Sequence, residues 1–182
     1  MAIDKSKVTI HMVSSLDGFI AKNDGNVSWM QSTDNYENGI TLSEEDIMKF
    51  IKNIDCYVMG SLTYEHALEL GWPYGDTHVI VLTKRNLMSD KKNVRFYKGD
   101  LNKLVNDQLK PTYHNIWLVG GAMIVKEFLR LKLADDIILS IMPVLLGDGT
   151  LFFDYIKQEQ KLHLKDVTAY KDGMVELWYE IQ

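Results

Sequence analysis

The order of apolar runs along this chain predicts a single-domain α/β fold. It would hold a mixed, mostly parallel eight-stranded sheet, flanking helices and a C-terminal antiparallel hairpin. Three observations carry that prediction. Strand-like and helical runs alternate from the N-terminus onward, the pattern of right-handed crossovers that builds parallel sheets. The chain then ends on two alternating runs, Leu162 to Tyr170 and Met174 to Ile181. Lys171-Asp172-Gly173 joins them, and its Asp-Gly pair favours a hairpin turn. Finally, three prolines, scattered glycines and no repeat or low-complexity tract leave nowhere to divide the chain, so residues 1–182 read as one domain.

Taken in order, the expected strands are Val8 to Val13, Cys56 to Met59, His78 to Thr83, Val94 to Tyr97, Ile116 to Val119 and Ile137 to Met142, followed by the hairpin pair. Each is a short apolar run bounded by polar or turn-forming residues. The expected helices are Glu44 to Asn53, Tyr64 to Leu70, Leu101 to Leu109 and Met123 to Leu131. In the last of these, Ile124, Phe128 and Leu131 recur at helical spacing, with Lys126, Glu127 and Arg130 between them. Glu44 to Asn53 starts behind Ser43, an N-cap residue type, with acidic residues in its first turn where the helix dipole favours them.

Composition narrows the function classes. At 182 residues the chain is long enough for a full core, and 46% hydrophobic with 25% charged residues is ordinary for a globular domain. A net charge of −5 without a dense Lys/Arg block argues against nucleic acid or an anionic membrane as partner. There is no apolar signal core and no segment near the roughly 20 apolar residues of a membrane span, which predicts a cytoplasmic protein. The single cysteine, Cys56, lies in an apolar run and reads as a buried thiol. The five histidines form no metal-ligand spacing, and no nucleophile elbow or Walker loop is present.

Parallel sheets bind ligands at the carboxyl ends of their strands, so the residues after each strand decide the function. Ile116 to Val119 runs through Gly120 and Gly121 into a helix beginning Ala122-Met123-Ile124. This is either a tight connection or a phosphate cradle, where free N–H groups and the helix's positive end meet without a Cβ in the way. Cys56 to Met59 is followed by Gly60-Ser61-Leu62-Thr63, in which Ser61 and Thr63 are either hydroxyl donors to a ligand or N-caps. His78 to Thr83 is followed by Lys84 and Arg85, a cationic pair suited to an extra phosphate or to a solvated turn. Val8 to Val13 leads into Ser14-Ser15-Leu16-Asp17-Gly18, where Asp17 either shapes a turn or faces a substrate. Together these suit an elongated ligand with two phosphate sites. The segment Asn26 to Ile40, with Trp29, Met30 and Tyr36, reads as a loop over the site or over the core.

SSLDGFIA, VMGSLTYE, VIVLTK, LVGGAMIVKEFL and IMPVLLGDGTLFF, in that order and over nearly the whole chain, resemble the dihydrofolate reductase-like superfamily. The closer resemblance is to the reductase domain of bacterial riboflavin-biosynthesis enzymes and its stand-alone relatives. It implies an eight-stranded mixed sheet, NADPH bound across the strand ends, hydride transfer to a small heterocyclic, pteridine- or pyrimidine-like substrate, and a homodimer. Carried over motif by motif, Gly60, Ser61 and Thr63 would lie along the cofactor. Thr83 and Lys84 would sit by the ribose 2′-phosphate, and Gly120, Gly121, Ala122, Met123 and Ile124 by the pyrophosphate. Asp17 would stand near the nicotinamide and substrate, and Gly147 and Gly149 at the far edge of the site.

The chain departs from the resemblance in two places. Riboflavin-type reductases place a lysine before their Ser-x-Asp-Gly motif, whereas His11 and Met12 stand in that neighbourhood here. Dihydrofolate reductases carry a carboxylate on the first long helix, and Asp46 is the positional candidate, also readable as an acidic residue of a helix start. Asp17 and Asp46 are therefore the candidate catalytic carboxylates. The alternatives to an NADPH-dependent reductase of a small molecule are dihydrofolate reductase proper and a catalytically weak NADPH- or nucleotide-binding protein.

Overall fold

A computed structural model describes residues 6–182. Its frame is an eight-stranded sheet in the order β5-β4-β3-β6-β1-β7-β10-β9. These strands are β1 (Lys7–Ser15), β3 (Cys56–Gly60), β4 (His78–Leu82), β5 (Val94–Tyr97), β6 (Asn115–Gly120), β7 (Asp136–Met142), β9 (Leu162–Ala169) and β10 (Val175–Ile181). β5, β4, β3, β6, β1 and β7 run parallel, while β10 is antiparallel to both β7 and β9. The eight strands and the closing hairpin are those the sequence predicts. The hairpin enters with its second strand, which pairs with β7 and leaves β9 on the edge.

Three details differ from expectation. Helix α2 (Ser61–Glu69) starts at Ser61, before the expected Tyr64, because extended Gly60 already serves as its N-cap residue. The run Leu101 to Leu109 is one short α-helical turn, α3 (Leu101–Lys103), that widens into a π-helix over Leu104–Leu109. Two strands were not foreseen, β2 (Phe19–Ala21) and β8 (Thr150–Leu151). They pair only with each other and are too short to show a period. The remaining helices, α1 (Glu44–Lys52) and α4 (Ala122–Arg130), stand where the sequence places them.

Alternation along the central strands sorts their side chains. Val8 and Ile10 of β1 pair in register with Ile116 and Leu118 of β6, which in turn pair with Cys56 and Val58 of β3. All six are buried and meet Val125, Phe128 and Leu129 of α4 together with Leu104, Val105 and Leu109. Cys56 is part of this core, and burial pushes its thiol up to about 12, so it is inert as the sequence suggests. The opposite face carries two smaller clusters. One, around Tyr57, Met59 and Tyr64, lies towards β4, and the other, around Trp29, Met142, Tyr170 and Met174, lies beyond β1. Between them the sheet face is open.

Asp136 locks the opposite end of β7. It is wholly buried and accepts hydrogen bonds from Lys7 at 3.1 Å, Lys165 at 2.9 Å and the Trp178 indole at 2.9 Å. Burial raises its carboxyl pKa, but the three donors outweigh that and hold it below the usual value of 3.8. A depressed folded-state pKa contributes stability above the unfolded value that is lost as pH falls through the folded one. Asp136→Asn should therefore cost roughly 2 kcal/mol at neutral pH, discounted for the partly exposed lysines, or about 4–8 °C in Tm. The gap to the parent should start to narrow as pH falls towards about 4 and close only below the folded-state pKa, as followed in urea titrations. A gap as large at pH 3 as at pH 7 would contradict the charge-based account.

Candidate active site

The two glycine-led strand ends and the Thr83-Lys84 end of β4 lie side by side. In the sheet β4, β3 and β6 are consecutive, with Leu82 beside Gly60 and Met59 beside Gly120. A Cβ added to Gly60 would come within 3.3 Å of Ile124 Cγ1, and one on Gly121 within 3.8 Å of Thr63 Oγ1. The starts of α2 and α4 thus open onto the same space. Neither helix has a side-chain cap, because Gly60 and Gly121 occupy their N-cap positions. The hydroxyls of Ser61 and Thr63 are accordingly not spent on capping. By contrast, Ser43 caps α1 and Asp100 caps α3. Two uncapped helix starts side by side leave unpaired N–H groups and the positive ends of two helix dipoles facing one cleft. Gly120 has φ 116°, a conformation for glycine, and a Cβ there would meet Met12 Cε at 3.0 Å.

That cleft has a volume of about 2310 Å³, well above the few hundred to 1,000 Å³ typical of small-molecule pockets. Gly60, Ser61, Thr63, Thr83, Lys84, Gly121, Ala122, Met123 and Ile124 all line it, whereas Gly120, at the end of β6 beside Met59, does not. Arg85 lines the cleft too, but its guanidinium is engaged. It binds Glu65 through two nitrogens at 2.9 and 2.7 Å, so the Lys-Arg pair reduces to Lys84, for which no ion pair is formed among the described residues. Lys98 also lines this end.

The other end of the cleft is built on β1, β7 and β10 beneath α1. His11 stacks on Trp117 with ring centroids 5.0 Å apart, and Phe50 of α1 stands edge-on to both rings. The Trp117 indole donates to the His11 carbonyl at 2.9 Å, which fixes this aromatic corner. No residue of α1 is buried; Leu42 before it and Ile47, Phe50 and Ile51 within it line the cleft. Asp46 lines it as well. Ser43 Oγ donates to the Asp46 carboxylate and accepts from the Asp46 N–H at 3.1 Å. Asp46 is thus both a capping residue and a cleft residue. The Ser43 bond leads in holding its carboxyl below the usual carboxylate range.

Asp17 is placed differently from the sequence expectation. It is not among the residues lining the cleft. Its carboxylate accepts from Ser15 Oγ at 2.6 Å, the Leu146 N–H at 3.1 Å and the Gly147 N–H at 2.7 Å. These bonds, the Ser15 one foremost, keep it charged below the usual range. Asp17 braces the loop after β7 against the β1–β2 turn, which is also where Gly147 stands. Within the segment 26–40, Trp29 packs into the core while Met30 lines the cleft.

The sequence reading missed Glu176, Ser140 and Tyr170, which also line the cleft. Ser140 and Glu176 are cross-strand partners on β7 and β10, and the one local signal is a polar residue inside each apolar strand.

The comparisons with known proteins agree with this architecture. Residues 6–176 match the family model of the RibD C-terminal domain. The chain belongs to that family. The uncharacterized Bacillus subtilis (strain 168) protein YwjB is 30% identical over 175 residues, 95% of this chain and 97% of that protein. A Shewanella sp. PV-4 protein named for riboflavin biosynthesis superposes with a TM-score of 0.83 at 22% identity, covering 97% of this chain and 99% of that one. The Thermotoga maritima diaminohydroxyphosphoribosylaminopyrimidine deaminase/5-amino-6-(5-phosphoribosylamino)uracil reductase superposes with a TM-score of 0.69 at 15% identity, over 98% of this chain and 57% of that longer one. As a RibD C-terminal domain, the chain has the reductase-like fold of this family. Among its described residues, no helix is long and apolar enough to cross a membrane.

The brace formed by Asp17 has a direct readout. In Asp17→Ala the amide protons of Leu146 and Gly147 lose their acceptors and should exchange faster with solvent, while those of β1 and β7 keep their protection. Unchanged exchange at both amides would show that the loop is held by other contacts.

Proposed function

We propose that this protein is an NADPH-dependent reductase that transfers hydride to a small heterocyclic substrate. The observation that carries the reading is the pair of uncapped, glycine-led helix starts of α2 and α4 opening on one cleft beside Lys84. Those donors suit a pyrophosphate, and Lys84 suits an additional phosphate on the adenosine ribose. The cleft is also large enough in volume for a dinucleotide and a second small molecule. Membership of the RibD C-terminal domain family supports the same class of chemistry.

When bound, NADPH would supply the hydride, and the protein's part would be orientation and proton delivery. Gly60, Ser61 and Thr63 on one side and Gly121 and Ala122 on the other would hold the phosphates. His11, Trp117 and Phe50 would form the wall for a flat ring. Asp46, the exposed carboxylate on α1, is the residue we assign to hold or relay a proton at the substrate. We give Asp17 a structural role, since both its oxygens are engaged by the turn and the loop.

A thermal-shift comparison tests the cofactor. NADPH at 100 times its Kd adds about 2.7 kcal/mol and should raise Tm by about 5–10 °C for a chain of this length, with a smaller rise for NADH. No shift with either would overturn the reading. Lys84→Ala should reduce the NADPH shift and leave the NADH shift as it was, and equal losses would remove the assigned role of Lys84.

Turnover is tested by following NADPH absorbance with a panel of oxidised pteridines and pyrimidines. With a substrate that is consumed, Asp46→Asn should lower kcat by roughly 100-fold or more while NADPH still binds. Binding of NADPH without consumption across the panel would instead favour a nucleotide-binding protein.

A further inference from the structure

At the far end of the cleft from Lys84, three strands bring a second carboxylate into line. Glu176 of β10 accepts from Ser140 Oγ at 3.0 Å and lies 3.5 Å from His11 Nε2. The Ser140 proton is given to Glu176, so at the 3.4 Å contact between His11 Nε2 and Ser140 Oγ the imidazole is the donor. The ring then carries a hydrogen on Nε2, and Nδ1 is buried without a partner. Both groups lie against Glu176 Oε2, Ser140 through its hydrogen bond and His11 at 3.5 Å. Its Oε1 has only a 3.5 Å contact from the Tyr170 hydroxyl, so it keeps acceptor capacity in a side chain that is 26% exposed and lines the cleft. The bond from His11 leads in holding the Glu176 carboxyl below its usual range, so it is an anion at neutral pH.

Carboxylates outnumber cations at this end: Asp46, Asp136, Asp166 and Glu176 against Lys7 and Lys165. The Tyr170 phenol is pushed up to about 12, first by burial and then by the charges of Glu176, Asp166 and Asp46. Of the lysines along this part of the cleft, Lys7 and Lys165 are both bonded to Asp136. A phosphate here would face carboxylates with no unpaired lysine or arginine to meet it, an arrangement costly in a part-buried site. An N–H donor would instead find the open Oε1 of Glu176 beside a rigid aromatic wall.

We infer that Glu176 is a specificity-determining residue, and that the substrate is a flat, amino-substituted heterocycle without a phosphate, one of whose N–H groups donates to Glu176 Oε1. The inference rests on the reductase reading in that it treats this cleft as the catalytic one. It differs from that reading in asking which molecule enters the end away from the cofactor.

The test is direct titration of three probes, 2,4,6-triaminopyrimidine, uracil and ribose 5-phosphate, followed by tryptophan fluorescence, with and without NADPH. The parent protein should bind triaminopyrimidine more tightly than uracil and show no saturable binding of ribose 5-phosphate. Glu176→Gln keeps the size of the side chain and removes its charge. It should weaken triaminopyrimidine by roughly tenfold to a hundredfold and leave the NADPH affinity and circular dichroism spectrum unchanged. Ribose 5-phosphate binding as tightly as triaminopyrimidine, or a folded Glu176→Gln variant with unaltered triaminopyrimidine affinity, would overturn the inference. Should that variant fail to fold, the order of the three probes on the parent protein still decides. The titrations without NADPH keep the two readings apart, since Glu176-dependent binding of the triamine would stand even if NADPH did not bind.

Discussion

The alternation of side chains along β1 is the constraint on which the rest of this molecule depends. Val8 and Ile10 point into the main core and are fully buried, while His11 sits on the opposite face, in the cleft. Because β1 is the strand between β6 and β7, its register sets both neighbours at once. Pairing with β6 carries Gly120 to the end of the sheet beside Met12, and pairing with β7 sets Val13 opposite Ser140. A shift by one residue would put His11 into the core and expel Ile10, so core burial holds the site in place.

From that strand outward the cleft divides into two halves built from different materials. Towards β3 and β4 it is made largely of backbone: glycines that let a ligand approach and helix starts left without caps. Towards β7 and β10 it is made of side chains, with an aromatic corner and a carboxylate held by a serine and a histidine. Under the proposed function, the first kind of surface would meet what all dinucleotides share. The second recognises the pattern of donors and acceptors on one molecule.

The same division explains how much could be read from the sequence. The strand-end glycines, the Ser43 cap and the Asp172-Gly173 turn are local signals, each contained in a few consecutive residues, and the structure has them where the sequence puts them. The sheet followed from such runs, except for β2 and β8, whose two- and three-residue lengths leave no period to detect. Features that join distant segments were not legible. Whether Asp17 shapes a turn or faces a substrate stays open in the sequence because Leu146 and Gly147, which occupy it, are about 130 residues further along. Arg85 looked available because Glu65 lies one crossover away. Glu176, Ser140 and His11 come from three strands, and only lateral pairing brings them together.

Helix α1 shows why the two halves belong to one cleft. It is amphipathic and well capped, yet it buries none of its residues in the protein, in contrast to α4, which buries Val125, Phe128 and Leu129. A helix of nine residues is marginal without tertiary packing. What α1 has in place of a core is the edge-on contact of Phe50 with His11 and Trp117, and an apolar side turned to the cleft. Its hold on the sheet therefore passes through the same imidazole that lies against Ser140 and Glu176. His11 is the point where the packing of α1, the carboxylate of β10 and the register of β1 meet.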